Sequence, residues 1–188
     1  MPQTEYELAL CRKIYQGDEQ ALAELIDAYR APLTAFVGGI LRDPEAAEEI
    51  TIDVFVDLVN KKAAYRGRSG LKTFLFSVGR NKSLRYLRKK KQTPLTFLDD
   101  AAYVQSVSLS LEETVEQNEQ RQAVCTALQR LRPAYREVLF LLYYENMTNQ
   151  QAAVVLHKSA KQVANLAYRA KSALRSILEQ EGGIRRDE

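Results

Sequence analysis

Asn165, Tyr168 and Arg169 are three and four residues apart, a spacing that brings them onto one face of a predicted helix. An asparagine amide can pair with the edge of adenine and an arginine guanidinium with that of guanine, whereas lysines mainly neutralise phosphates. The polar residues of this helix and the turn before it that could contact DNA are Lys158, Lys161, Gln162, Asn165, Tyr168, Arg169 and Lys171. The alternative is that these side chains only solvate a basic helix face.

These side chains belong to a predicted helix-turn-helix. Thr148 with Gln151, and Ser159 with Gln162, each match the capping box, in which a hydroxyl and a glutamine satisfy the free backbone donors of a helix start. A short helix over residues 149–156, a turn over 157–159 and a longer helix therefore follow in order. The second helix of such a motif enters the DNA major groove. A plain helical hairpin is the alternative.

A second candidate site lies over residues 65–76, where basic residues, glycines and aromatics are interleaved. Aromatic faces stack on unpaired bases while cations follow the phosphates, so this composition suits single-stranded nucleic acid. The alternative is that Phe74, Leu75 and Val78 are simply core residues.

The helix predicted for residues 44–62 has two apolar sectors with acidic residues between them. The first sector contains Ala47, Ile50, Val54 and Leu58, the second contains Ile52, Phe55, Val56 and Val59, and the acids are Glu45, Glu49, Asp53 and Asp57. A surface helix of a small domain needs one buried stripe, so the second sector indicates a docking surface for another protein. A fully internal helix is the alternative.

The same carboxylates, spaced i and i+4, raise the alternative of a metal-binding or phosphotransfer helix. That chemistry needs partners, yet the sequence has no Glu-x-x-His, no glycine-rich phosphate loop and no setting for a Ser or Cys nucleophile. His157 is the single histidine, and Cys11 and Cys125 are the two cysteines, too few for a structural zinc site or a disulfide framework. We therefore expect no catalytic residue, no metal and no cofactor.

The net charge of +3 is unevenly distributed along the 188 residues. Residues 1–91 hold 16 basic and 12 acidic side chains, residues 92–120 hold no basic and 6 acidic ones, and residues 121–188 hold 11 and 6. No acid lies between Asp57 and Asp99, a stretch that contains twelve basic residues. Two basic bodies joined by an acidic tether indicate a polyanionic partner.

Helix signals dominate the chain, which predicts an all-α fold of two small helical domains joined by an acidic flexible linker. Asp18 and Asp43-Pro44 mark helix starts, and Pro32 is expected to interrupt the helix that follows Asp18. Residues 104–109 alternate like a short strand but are interpreted as part of the linker. The predicted boundaries are 1–93 for the first domain, 94–117 for the linker and 118–188 for the second. The absence of a long apolar run predicts a cytoplasmic protein with no membrane insertion.

Taken in order, five motifs resemble those of the extracytoplasmic-function (ECF) class of bacterial RNA polymerase sigma factors, in the sigma-70 superfamily. They are Gly17–Leu22 (Gly-Asp-x-x-Ala-Leu), Ala47–Phe55, Tyr65–Leu75 followed by Gly79-Arg80-Asn81, Leu131–Leu139 and Arg169–Arg175. Phe74 departs from the tryptophan usual in the family, which keeps a stacking face but loses area and the indole donor. Ala164 and Leu166 stand where basic residues are common on the recognition helix.

The resemblance implies a non-enzymatic factor that binds core RNA polymerase and directs initiation at particular promoters. The N-terminal domain would dock on the polymerase clamp helices through Glu49, Ile52, Asp53, Phe55, Val56 and Val59. It would also read and open single-stranded minus-10 DNA through Tyr65, Arg66, Arg68, Ser69, Lys72, Phe74, Arg80 and Asn81.

The resemblance also implies that the C-terminal domain would bind the polymerase flap and read duplex minus-35 DNA. The residues that would contact this DNA are Lys158, Ser159, Lys161, Gln162, Asn165, Tyr168, Arg169 and Lys171. The acidic linker would lie in the RNA exit path, and an anti-sigma factor is an expected partner. The alternative from another class is a helix-turn-helix regulator with an N-terminal sensing or dimerisation module. Such a regulator should bind duplex promoter tightly by itself, whereas a sigma factor should need core polymerase.

Overall fold

A computed structural model describes residues 3–61, 64–92 and 115–180. Over these residues the fold is all-α, as predicted. The helices are α1 (Gln3–Tyr15), α2 (Glu19–Leu41), α3 (Pro44–Val59), α4 (Leu71–Gln92), α5 (Val115–Arg130), α6 (Pro133–Leu139), α7 (Asn149–Leu156) and α8 (Ala160–Gln180). Phe140–Tyr144 continues α6 as a π-helical turn. Residues 94–114 of the predicted linker, including the strand-like stretch 104–109, lie outside the described ranges. The last three residues of that predicted linker, 115–117, are helical.

Helices α1 to α4 form the N-terminal half, in which α2 packs on α1, α3 and α4. The side chains of Asp18 and Asp43 accept hydrogen bonds from the amides of Ala21 and Ala46, so both predicted N-caps are confirmed. These caps satisfy backbone donors that no intrahelical acceptor can reach.

The predicted interruption at Pro32 is wrong, because α2 runs through this residue. An internal proline removes one helical hydrogen bond and costs about 3 kcal/mol. Leu25 before it and Leu33 after it are both fully buried, and this tertiary packing holds the two parts of α2 in line. The helix α3 also ends at Val59, three residues before the predicted end at 62, and Lys61 takes a positive φ of 57°.

Helices α5 to α8 form the C-terminal half, and the predicted helix-turn-helix is confirmed. In each capping box the glutamine Oε1 accepts from the cap residue's amide at 2.8 Å and the hydroxyl accepts from the glutamine amide at 3.2 Å. His157 closes α7 with a positive φ of 53°. The buried residues of α8 are Val163, Ala167, Ala170 and Leu178.

The two halves pack against each other. Helix α4 contacts α7, and α2 contacts α6. Phe36 of α2 lies between Phe76 and Phe140, with ring centroids 5.2 and 5.7 Å apart. One buried cluster therefore includes side chains of both halves.

Candidate nucleic-acid interface

Helix α8 presents the predicted base-reading side chains to solvent. Asn165, Tyr168 and Arg169 are exposed, with Tyr168 at 77%. Lys158 and Arg169 border a shallow cleft that also contains Asn165. Helix α8 and the turn before it therefore place two planar polar side chains and a lysine along one surface.

Four other residues of the predicted duplex-reading set differ in their surroundings. Ser159 Oγ and Gln162 Oε1 each accept a backbone hydrogen bond in the capping box. The ammonium of Lys171 lies 4.6 Å from the centre of the Tyr143 ring, so it also takes part in a cation–π contact within the C-terminal half. Lys161 is exposed at the start of α8.

The loop over residues 65–70 has a buried tyrosine at its start. Tyr65 is 5% exposed, and its hydroxyl lies 2.7 Å from both the Glu7 carboxylate and the Ser69 carbonyl. Burial and the hydrogen bond to Glu7 raise the pKa of Tyr65, so this hydroxyl stays protonated. The Tyr65 ring packs on half-buried Phe74, which leaves little of the tyrosine face for an unpaired base.

The cations of that loop are accessible. Arg66 and Arg68 are exposed on either side of Gly67, which has a φ of 70°. Ser69 is half-buried, and its hydroxyl lies 3.4 Å from the Gly70 carbonyl. Two exposed guanidiniums on a short loop can follow the phosphates of a strand.

The remaining three residues of the predicted minus-10 set contact the C-terminal half. Lys72 lies 2.6 Å from the Glu145 carboxylate, and the Arg80 Nε lies 2.5 Å from that of Glu137. The Asn81 Oδ1 lies 3.0 Å from His157 Nε2. We call this set of three contacts the closed arrangement, since it joins the two halves through side chains predicted to bind DNA.

The second apolar sector of α3 is divided between the core and the surface. Phe55 is buried and Val59 half-buried, whereas Ile52 and Val56 are 52% and 43% exposed. The alternative of a fully internal helix is therefore wrong. The predicted acids beside this pair remain accessible, because Glu49 is exposed and the Asp53 side chain is 64% exposed.

An apolar cavity of about 420 Å³ lies where the two halves meet. Phe36 and Gly39 of α2 line one side, and Leu128, Tyr143 and Leu174 line the other, together with further residues of the C-terminal half. Tyr143 and Tyr144 are exposed beside it. This combination of aromatic side chains and open apolar surface is typical of a site that contacts another protein.

Sequence reasoning missed the buried acids Glu7, Glu137 and Glu145, which partner predicted DNA-binding residues. Glu7 carries a signal, because it lies three, four and seven residues before Leu10, Cys11 and Ile14, on the apolar stripe of α1. A carboxylate on a core-facing stripe needs hydrogen-bond donors from elsewhere in the fold. The partners of Glu137 and Glu145 are far away in sequence and carry no local signal.

The described residues contain no group of three or more His, Cys, Asp or Glu side chains arranged to hold a metal ion. Burial raises the pKa of the Cys11 thiol to about 11, so at neutral pH it carries its proton and is a poor nucleophile. None of the helices in the described part of the chain has both the length and the apolarity needed to span a bilayer.

Comparison with known proteins gives matches on both halves. Residues 25–93 match sigma-70 region 2, and residues 121–174 match sigma-70 region 4. The chain is 27% identical over 165 residues to the ECF RNA polymerase sigma factor SigX of Bacillus subtilis, covering 86% of this chain and 85% of SigX. It is 26% identical over 176 residues to the RNA polymerase sigma factor NccH of Alcaligenes xylosoxydans xylosoxydans, covering 91% and 94%.

Two solved structures have a similar fold at 20% sequence identity. CnrH, in complex with the cytosolic domain of CnrY, gives a TM-score of 0.66 over 92% of this chain and 96% of CnrH. The sigma factor RpoE of Bartonella quintana, in complex with the anti-sigma factor NepR, gives 0.64 over 87% and 98%. The likeness extends over both halves of the chain.

Proposed function

This chain belongs to the ECF class of the sigma-70 family, and on that premise we propose that it binds core RNA polymerase and directs promoter-specific initiation. In this account it is a cytoplasmic initiation factor that carries out no catalysis itself. Its N-terminal half docks on the polymerase and opens the minus-10 element, and its C-terminal half reads the minus-35 element.

The observation that carries the proposal is the exposed apolar pair Ile52 and Val56 on α3. Two aliphatic side chains beside the accessible carboxylates of Glu49 and Asp53 fit an apolar contact with a basic rim on the partner. We assign this surface to the clamp helices of the polymerase, with Phe55 and Val59 supporting it from beneath. The basic loop with Arg66 and Arg68 lies in the same half, so docking would also bring it to the promoter.

Minus-10 opening is assigned to that loop and to α4. Arg66, Arg68 and Lys72 would neutralise phosphates of the separated strand, while Asn81 would hydrogen-bond the edge of an unpaired base. Taking a base out of the stack costs a few kcal/mol, which these contacts must offset. Because Tyr65 is buried, its part in this account is to shape the loop, and Phe74 supports it from α4.

Minus-35 reading is assigned to α8. Asn165 and Arg169 would read base edges, and Lys158, Lys161 and Lys171 would mainly bind phosphates. Leu166, at a position where the family often has a basic residue, is half-buried, which leaves base reading to its neighbours.

The closed arrangement supports a requirement for core polymerase. Lys72, Arg80 and Asn81 are all engaged by the C-terminal half, so we propose that the halves must separate before these residues meet minus-10 DNA. Core polymerase would supply the free energy for this separation by binding both halves. The clamp helices would take the Ile52 and Val56 surface, and the flap would take apolar surface of the C-terminal half near Tyr143.

An anti-sigma factor completes the proposed set of partners. CnrH and RpoE, whose folds are similar, were solved with CnrY and with the anti-sigma factor NepR. We propose that this chain is held inactive by a protein of that kind. The acidic segment between the halves is assigned to the RNA exit path of the polymerase, where its negative charge can imitate nucleic acid.

The proposal is tested by presenting a library of duplexes, randomised across the minus-35 and minus-10 regions, to the protein with and without core polymerase. A sigma factor selects a bipartite sequence only with core present, and the selected duplexes then support transcription. Tight, sequence-specific binding by the protein alone, unchanged by core polymerase, would instead identify a helix-turn-helix regulator.

A further inference from the structure

Helix α1 contacts the basic loop through the buried carboxylate of Glu7. This side chain is 5% exposed, and one oxygen, Oε2, accepts two hydrogen bonds. The Tyr65 hydroxyl donates the first at 2.7 Å, and the Leu71 backbone amide donates the second at 2.9 Å. Tyr65 precedes the two exposed arginines and Leu71 follows them, so a single atom of α1 joins both ends of the loop.

Other residues of α1 contact the same loop. The Tyr65 amide donates to the Tyr15 hydroxyl at 2.9 Å. A Cβ added to Gly67 would lie 3.1 Å from Leu8 Cδ1, so the loop backbone runs close against α1. The match to sigma-70 region 2 begins at residue 25, and α1 therefore lies outside it.

We propose that Glu7 is a positioning residue that holds the loop, and with it Arg66 and Arg68, in the geometry that reads minus-10 DNA. This inference rests on the proposed function, because the loop matters only if it contacts the promoter. Glu7 itself is buried and touches no DNA in this account.

The chemistry of the site explains why a carboxylate stands at this position. Leu71 is the first residue of α4, where backbone amides have no acceptor within the helix and the helix dipole favours negative charge. Glu7 supplies that charge from another helix. A buried carboxylate is retained only when donors satisfy it, and the protonated Tyr65 hydroxyl is such a donor.

The consequence for function is preorganisation. The loop has glycines at positions 67 and 70 and an exposed arginine on each side of Gly67, so its backbone has more freedom than a regular element. Hydrogen bonds at both ends restrict that freedom before DNA arrives, which lowers the entropic cost of binding. Loss of Glu7 should therefore weaken minus-10 selectivity more than it weakens docking or minus-35 reading.

The experiment compares Glu7→Ala, Glu7→Gln and Tyr65→Phe with the control Tyr6→Phe. Tyr6 is also on α1 and donates to a carboxylate, that of Glu24 at 2.5 Å, but this pair is exposed and joins α1 to α2 instead of to the loop. Sequence preference is read from initiation on libraries randomised separately at minus-10 and minus-35. Hydrogen exchange of the Tyr65 and Leu71 amides reports on the loop itself, and core affinity is measured in parallel.

For Glu7→Ala we expect minus-10 preference to fall about tenfold, the order of a lost charge-assisted hydrogen bond, with minus-35 preference and core affinity unchanged. Exchange at Tyr65 and Leu71 should accelerate. Glu7→Gln should lose less of the preference than Glu7→Ala, since its amide oxygen can accept from the same donors but supplies no charge to the start of α4. Tyr65→Phe, which removes one oxygen atom, tests the loop contact even where Glu7→Ala fails to fold. Tyr6→Phe should behave as wild type.

Wild-type minus-10 preference in Glu7→Ala and Tyr65→Phe, or an equal loss at minus-35, would overturn the assignment. If the wild-type protein failed to initiate with core polymerase, the proposed function would fall instead. The exchange measurement would still decide whether Glu7 holds the loop, because it needs no promoter.

Discussion

The Nε of Arg80 lies 2.5 Å from the Glu137 carboxylate, and this ion pair crosses from α4 of the N-terminal half to α6 of the C-terminal half. Both side chains are largely buried, at 15% and 8% exposure. A pair removed from water in this way is screened less by salt than a surface pair. It joins a residue assigned to minus-10 DNA to a carboxylate of the C-terminal half.

We predict that Glu137→Gln favours separation of the halves and increases the affinity of the free protein for a single-stranded minus-10 oligonucleotide. The amide loses a charge-assisted bond worth about 1.5 kcal/mol or more, which corresponds to roughly tenfold in the opening equilibrium. Fluorescence anisotropy of a labelled oligonucleotide measures the change. Glu48→Gln is the control, because it affects the exposed Arg30–Glu48 pair within the N-terminal half. Equal affinities for wild type and Glu137→Gln would show that the closed arrangement does not restrict DNA binding.

Asn81→Ala is predicted to lower open-complex formation on duplex promoter and to recover on a template already melted at minus-10. His157→Ala removes the same 3.0 Å contact from its other side without changing the proposed base pocket, so it should not lower opening. Permanganate reactivity of minus-10 thymines follows the reaction. A matching loss in both variants would mean that Asn81 acts through contact with His157 and does not bind a base.

Asn165→Ala and Arg169→Ala are each predicted to relax preference at particular minus-35 positions, by about 1–3 kcal/mol of discrimination. Lys161→Ala should instead weaken binding to all sequences about equally and reduce its salt dependence. Selection from a minus-35 library with the holoenzyme separates the two effects. Identical preferences for wild type and both variants would assign base reading to other residues.

Gly67→Ala is predicted to destabilise the fold more than Gly17→Ala. Both glycines have a positive φ, 70° and 90°, for which alanine costs roughly 1–2 kcal/mol. A Cβ on Gly67 would also meet Leu8 at 3.1 Å, whereas one on Gly17 meets nothing within 4 Å. Urea denaturation should therefore show that Gly67→Ala lowers the free energy of unfolding more than Gly17→Ala does. Equal decreases in the two variants would mean that the Leu8 side chain moves away from the added methyl group without destabilising the fold.

Much of the helical architecture could be predicted because its signals are local. Asp18, Asp43, Thr148 and Ser159 each cap a helix through atoms within three residues, and the structure contains these bonds. The helix break predicted at Pro32 is absent, because the cost of an internal proline is local while the packing that offsets it, around Leu33, involves other helices.

The candidate site was less predictable for the same reason. The residue types around Tyr65 indicated an aromatic stacking face, yet the tyrosine is buried by α1, more than fifty residues earlier in the chain. Likewise, the net charge of each segment indicated basic halves, but only the fold shows that Glu145 neutralises Lys72. Pairings of this kind depend on tertiary contacts that no short motif encodes.

Docking of the chain on core RNA polymerase through α3 is measured most directly by the affinity of core for wild type and for Val56→Asp. Wild type should bind stoichiometrically, and Val56→Asp should bind about thirtyfold more weakly while its circular dichroism and thermal unfolding remain close to wild type. Val154→Asp is the matched control, since Val154 is a valine of similar exposure, 47% against 43%, on α7. Failure of wild type to bind core, or normal binding by folded Val56→Asp, would contradict the account.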